Sequence, residues 1–337
     1  MTPLSVLDLS PVVSGAAPAQ ALRNSIDLAR LADRLGYTRY WLAEHHNMPA
    51  IASSAPEIMI GQIAAQTSGI RVGSGGIMLP NHAPLMVAER FKVLEALYPD
   101  RIDLGLGRAP GTDQVTSYAL RRRQGISEAD DFLDRFQELM LLETRAFPDG
   151  HPYHKIQAMP AGVPLPPIWL LGSSDYSAQL AAQIGAGFSF AAHFSDLDPA
   201  IPMQLYRSRF KPSERMREPY AILALAVICA DTDAQADRLA SAADLHFVRR
   251  AKGEYLPLAS PEEADAYDYS PLDRERIVHN RKRLVVGGPQ VVRDRLQALI
   301  DATDADEVMI TTMVHDHGAR RRSYELLAQM FDLPQRG

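Results

Sequence analysis

Residues Ile70–Gly107 read IRVGSGGIMLPNHAPLMVAERFKVLEALYPDRIDLGLG. Ile70–Met78 is a short apolar run interrupted only by Ser74-Gly75-Gly76, Pro84 opens a segment of helical spacing that reaches Tyr98, and Ile102–Gly107 is a second apolar run. A strand, a helix and another strand in that order predict a parallel pairing, because only a helical crossover brings the chain back to run in the same direction. A proline at the first helical position supports the helix start, since its missing N–H has no partner there anyway.

The same alternation extends in both directions. Apolar runs rich in Val, Ile and Leu predict strands at Leu4–Val13, Tyr37–Ala43, Ile70–Met78, Ile102–Gly107, Ile168–Leu171, Gly187–Ala192, Tyr220–Ala230 and Glu307–Met313. Helical segments separate them: Ala19–Leu35 stops at Gly36, and Ser127 with Asp130 forms a capping-box pattern before Phe132–Phe147. Eight strands each followed by a helix predict an α/β protein of the (β/α)8 TIM-barrel class. A doubly wound sheet would open with a glycine-rich turn after its first strand, and here that place is taken by Ser10-Pro11. Two stretches exceed a bare barrel, Ala109–Pro167 after strand four and Arg249–Val286 after strand seven. The second mixes charges, prolines and tyrosines without a period, so residues 249–286 are expected to form a mobile lid, the alternative being a static subdomain. No repeat or linker divides the chain, and residues 1–337 are expected to form a single domain.

Composition narrows the partners. Lys+Arg 35 against Asp+Glu 41 leaves a net charge of −6, the wrong sign for a protein that neutralises nucleic-acid phosphates. Cys229 is the single cysteine, in an apolar run, so no internal disulfide is possible and a buried, inert thiol is expected. There is no basic leader and no apolar stretch long enough to span a membrane, which predicts a cytoplasmic protein without membrane association.

In a barrel of this class the active site is built on the C-terminal ends of the strands. Those ends carry Glu44-His45-His46-Asn47, Ser74-Gly75-Gly76, Asn81-His82, Gly107-Arg108, Gly172-Ser173-Ser174, His193 and His315-Asp316-His317. Adjacent histidines at a strand end point in opposite directions, which suits a single general base better than a metal pair, so no metal is expected. The other reading of the pair is polar capping of the strand. Ser173 and Ser174 open the helix through Ile184, where free backbone N–H groups attract an anion, and Arg108 on the neighbouring strand can close on the same group. A serine at that position also suits any helix as an N-cap. Gly75-Gly76 marks either a bulge or a place where something flat approaches the backbone. The runs Arg121-Arg122-Arg123 and Arg320-Arg321-Arg322 are expected to be solvated faces.

Together WLAEHHNMP (41–49), RVGSGGIMLP (71–80), RIDLGLGR (101–108), IWLLGSSDYSAQLAAQIG (168–185) and VVGGPQVVRDRL (285–296) resemble the bacterial luciferase-like monooxygenase family over nearly the whole chain. The resemblance implies a flavin-dependent monooxygenase that takes reduced FMN from a separate flavin reductase, forms a C4a-peroxyflavin with molecular oxygen and acts on a small organic substrate such as an aldehyde. It implies that His45 acts beside the flavin ring, that Gly75 and Gly76 lie beneath the ring across a cis peptide, and that Arg108, Ser174 and Ser177 bind the phosphate. Ser173 falls where luciferase has an acidic residue, and Gly107 falls where luciferase has a reactive cysteine. A homodimer is implied, packed through Pro56–Thr67 and Pro84–Tyr98. Two alternatives fit the same residues: an F420-dependent hydride-transfer enzyme, and a flavin-binding protein without turnover.

Overall fold

The computed structural model describes residues 2–121 and 131–336. Its strands are β1 (Leu4–Asp8), β2 (Arg39–Leu42), β3 (Arg71–Ser74), β4 (Ile77–Met78), β5 (Ile102–Gly107), β6 (Ile168–Gly172), β7 (Gly187–Ala191), β8 (Ala221–Cys229), β9 (Leu284–Gly287) and β10 (Glu307–Thr311). The helices are α1 (Pro18–Arg34), α2 (Pro56–Ala64), α3 (Pro84–Leu97), α4 (Gln114–Arg121), α5 (Phe132–Thr144), α6 (Asp175–Ile184), α7 (Ala200–Arg209), α8 (Asp233–Ala251), α9 (Pro261–Asp265), α10 (Pro271–Arg281), α11 (Pro289–Thr303) and α12 (His317–Met330).

The strands pair in parallel in the order β10-β1-β2-β3-β5-β6-β7-β8, and β8 returns to β10 to close an eight-stranded barrel. Period-two alternation sorts their residues. Val6, Tyr40, Leu42, Val72, Leu104 and Phe188 face outward into the shell of helices, while Leu7, Trp41, Trp169, Ile222 and Met309 fill the interior. Both faces are buried, which is why the strands read as continuous apolar runs rather than alternating ones.

The N-terminal end of the interior is closed by charge. Arg39 donates from Nη1 to Asp103 at 3.0 Å and from Nε to Glu307 at 3.0 Å, and lies 4.5 Å over the Trp169 ring. Trp41 Nε1 and Arg71 bond to the same Asp103. Buried charges are tolerable only when paired in this way. The barrel interior is thereby plugged at that end. Gly75 and Gly76 are joined by a cis peptide, which splits the expected Ile70–Met78 strand into β3 and β4. A Cβ on Gly75 would meet Leu7 Cδ1 at 2.6 Å, and one on Gly76 would meet the Gly105 carbonyl at 2.9 Å, so close packing inside the barrel already accounts for both glycines.

Three expectations are corrected. Arg249–Val286 is not irregular: it contains the end of α8, the helices α9 and α10, each opened by a capping box (Ser260 with Glu263, Ser270 with Asp273), and β9, which extends the sheet beside β8. The insertion begins at α8, and the helix that returns the chain to β10 is α11, packed against α7 and α12. These helices are too short for their periodicity to stand out among the charges. The Arg320–Arg322 run is a solvated face only in part: Arg320 is buried and donates to Asp8 at 2.6 Å, while Arg321 and Arg322 stay partly exposed in ion pairs with Asp27 and Asp231. Strand Leu4–Val13 ends at Asp8, and Pro11 and Val13 make only isolated bridges beyond it. Ser127, Asp130, Arg122 and Arg123 lie outside the described residues. Gly36 ends α1 with φ +88°, the left-handed conformation that a C′ glycine supplies.

Candidate active site

Beyond β2 the chain enters Glu44-His45-His46, and the glutamate, not weighed in the sequence, organises the loop. Glu44 is fully buried and accepts from His46 Nε2 at 2.8 Å, His82 Nε2 at 2.9 Å and the Met78 backbone N–H at 2.8 Å. Burial alone would raise its pKa, but the hydrogen bonds from His46 and His82 prevail and hold it down at about 2. Glu44 thus clamps the end of β2 to β4 and to the turn at Leu79–Asn81. His46 belongs to this clamp. A carboxylate two residues from one histidine and followed by Asn81-His82 was the available signal, but nothing local ties position 44 to position 82.

His45 is free of the clamp. Its backbone N–H donates to Ser53 at 2.9 Å, and its Nδ1 is buried without a partner. Burial, reinforced by the Arg250 charge, lowers its pKa to about 4 against the opposing pull of Glu44. It is therefore neutral at pH 7 and able to accept a proton. Across the mouth, His193 follows β7; its Nδ1 lies 3.3 Å from the Ala224 carbonyl, which can only accept, so Nδ1 carries the proton and Nε2 keeps a lone pair. Burial lowers His193 to about 4 as well. β2 and β7 are the second and sixth strands of the closed barrel, so the space above the axis lies between these two imidazoles. Thr311 Oγ1, on the inward face of β10, is also buried without a partner.

A second cluster forms where β5 and β6 end. The Arg108 guanidinium stacks 4.3 Å over the ring of Tyr176, in the first turn of α6. Ser174 is the N-cap of α6 but makes no side-chain cap bond, Ser177 is buried, and the Ser173 carbonyl accepts from Ser195 Oγ at 2.8 Å. A Cβ on Gly172 would lie 2.1 Å from Ser177 Oγ, so the first turn of α6 sits directly on the end of β6. Unbonded N–H groups, the positive end of the helix dipole and a guanidinium converge there.

The remaining strand-end residues have structural employment. His315 bonds to Ser14, Asp316 caps α12 through Ala319 N–H at 2.6 Å, and His317 bonds to Asp27 at 2.9 Å. Gly107 is packed under Met78, whose Sδ would lie 2.8 Å from a Cβ. Cys229 is buried, and burial pushes its thiol up to about 12. A cleft of about 390 Å³ at the opposite end of the barrel, lined by Thr2, Pro3, Arg293, Gln297, Asp306 and Asp332 among others, holds none of the residues picked out by the sequence. Among the described residues no cluster of His, Cys, Asp and Glu is arranged to hold a metal ion, and no helix is long and apolar enough to cross a membrane.

The profile of the luciferase-like monooxygenase family matches residues 3–306. The chain belongs to that family. This luciferase-like barrel is 44% identical over 322 residues to a luciferase-like monooxygenase of Escherichia coli K12, covering 96% of this chain and 95% of the relative. It is 33% identical to the N-acetyl-S-alkylcysteine monooxygenase of Bacillus subtilis, covering 97% and 98% of the two chains. The solved structure of apo-MsnO8 superposes with a TM-score of 0.90 at 41% identity, covering both chains completely. The luciferase-like chain is accordingly an oxidoreductase of the monooxygenase type.

Proposed function

We propose that the enzyme works with reduced FMN supplied by a separate flavin reductase, and that it uses molecular oxygen to oxidise a small organic substrate. The observation that carries this reading is Arg108 stacked on Tyr176 above the uncapped start of α6, a built site for one phosphate. The residues present fit a flavin. Arg108, Ser173, Ser174 and Ser177 would hold its phosphate, Gly75 and Gly76 offer bare backbone under the ring, and His45 Nδ1 and Thr311 Oγ1 are polar atoms still lacking partners. Solved barrels of the same fold, at 20% and 14% identity, hold FMN in one case and an F420–acetone adduct in another. Reduced FMN, when bound, would supply the electrons that activate oxygen. The chain's own work is to anchor the phosphate, to exclude water over a floor of Trp41 and Trp169, and to take up a proton at the neutral His45. The segment 249–286 completes the site as a cover over the mouth of one barrel unit.

Arg108→Ala is expected to weaken FMN binding by about 1.5–3 kcal/mol, the worth of a charge-assisted phosphate contact. Anaerobic titration with reduced FMN, and in parallel with reduced F420, reads both the affinity and the cofactor; unchanged affinity in the variant removes Arg108 from the site.

The enzyme is further proposed to be a homodimer. Ile58 on α2 and Met86, Val93 and Leu97 on α3 are large apolar side chains left exposed on neighbouring helices, and such patches mark contact surfaces. Light scattering at micromolar concentration should give twice the chain mass, and Leu97→Glu should shift it toward the monomer; a monomer mass for the unaltered protein refutes the assignment.

A further inference from the structure

The loops at the mouth are knitted into one rim. Ala52 N–H donates to the Ser10 carbonyl at 3.0 Å and Val12 N–H to Ala50 at 2.9 Å; on the other side Leu258 N–H donates to Val12 at 2.8 Å and Ser14 N–H to Leu258 at 2.8 Å. The loop after β1 therefore lies between the loop that carries His45 and the chain that follows α8. Arg250, in the last turn of α8, lies eight residues before Leu258 on this rim, and its charge reaches both His45 and His246.

The two arginines of that turn differ. Arg249 lies 6.0 Å over the Tyr267 ring. Arg250 is exposed and, among the described residues, has no side-chain hydrogen bond, ion pair or ring contact. Among the carboxylates of the loops at the mouth three are already taken, while Glu254, four residues after Arg250, is exposed and forms no ion pair with it. Glu44 is bound by His46 and His82, Glu263 by Ser14 and the Ser260 N–H, and Asp113 by Thr116 and Asn47. His45, His193 and His246 are each lowered to about 4, with burial the leading cause in every case. Arg250 thus stands beside the rim as a guanidinium that no carboxylate among the described residues pairs. With Arg108 assigned to the cofactor phosphate, Arg250 is, among the described residues, free to meet the substrate.

We propose that Arg250 is a specificity-determining residue that binds the carboxylate of an anionic organic substrate and leaves the atom to be oxidised beside His45. The proposal rests on the reading of the His45 end as the active site. A guanidinium matches a carboxylate through two parallel hydrogen bonds. One guanidinium among neutral imidazoles balances a monoanion, whereas a phosphate monoester would carry a second charge without a counterpart.

The test uses a matched pair of probes, octanoate and octanamide, which differ in charge and little in shape. Each is titrated into the FMN-loaded enzyme by flavin fluorescence and into the flavin-free protein by calorimetry. Octanoate is expected to bind at least tenfold more tightly than octanamide, Arg250→Met to bring that ratio to about one, and Arg250→Lys to retain part of it, with FMN affinity and melting temperature unchanged in both variants. Equal binding of the two probes to the unaltered protein, a ratio that survives Arg250→Met, or tighter binding of octyl phosphate than of octanoate overturns the proposal. Failure of the unaltered protein to bind FMN would count against the flavin reading instead, and the calorimetric ratio would still decide the role of Arg250.

Discussion

His45→Ala is expected to lower turnover ~10²–10⁴-fold, the usual contribution of a positioned acid–base group. Binding of FMN should remain nearly intact, because Arg108 and the start of α6 lie at a different pair of strand ends. The measurement is flavin reoxidation after mixing the reduced enzyme with oxygen, with and without a candidate substrate. The pH profile adds a sharper readout. A histidine with its ordinary pKa would produce an inflection near pH 6.5, but burial and the Arg250 charge lower His45 to about 4. A step that requires the neutral imidazole should therefore be flat from pH 8 down through 6 and fall only as pH approaches 4. His46→Ala is expected to act differently. It removes one of the hydrogen bonds that hold Glu44 and should loosen the β2 clamp rather than abolish proton transfer. Wild-type turnover in His45→Ala alongside lost turnover in His46→Ala would show that the wrong imidazole has been chosen.

Arg320→Met should destabilise the fold by about 3–5 kcal/mol at pH 7, because it strands the buried Asp8 carboxylate without its counter-charge. Asp8 is fully buried, accepts from Arg320 at 2.6 Å and from the Tyr40 hydroxyl, and receives the Ser10 N–H at 2.7 Å. Burial on its own would raise the Asp8 pKa, yet the Arg320 charge and the hydrogen bonds from Ser25 and Tyr40 bring it below its ordinary value. A carboxyl lowered in the folded state stabilises the protein above its unfolded pKa, and that contribution is lost as pH falls through the folded one. The variant removes the cause of the lowering and leaves burial to raise the Asp8 pKa, so its deficit relative to wild type should begin to shrink as pH falls through that raised value and keep shrinking until Asp8 protonates in the folded wild type as well, below its ordinary pKa. Urea denaturation at several pH values reads this directly. A loss under 1 kcal/mol at pH 7 would mean that the pair is dispensable.

The same arginine shows why some features were legible in the sequence and others were not. Three consecutive arginines look like a charged surface, but Arg320, Ser323, Tyr324 and Leu327 fall at helical spacing on the buried face of α12. The stripe was present in the sequence; reading the run by its charge concealed it. Arg249–Val286 was misread for a related reason. Its capping boxes at Ser260 and Ser270 are local signals, but helices as short as α9 have no apolar stripe of their own, and β9 pairs only with Ala226–Cys229, the end of β8 that runs on past its pairing with β7.

The amino-acid sequence by itself determined the order of strands and return helices, because burial on both faces of each strand leaves an uninterrupted apolar run that needs no knowledge of its neighbours. It also determined the helix ends marked by Gly36 and Pro84, and the residue types gathered at the strand ends. Only the tertiary structure decided which of those residues meet. Glu44 reaches His82, Arg108 reaches Tyr176, and Leu258 joins the rim beside Val12 through contacts between positions 38, 68 and 246 residues apart. Closure of the barrel sets those distances, and no local pattern encodes them. The proton state of His45 was likewise undecided until then, since an imidazole's pKa depends on what buries it and which charges face it.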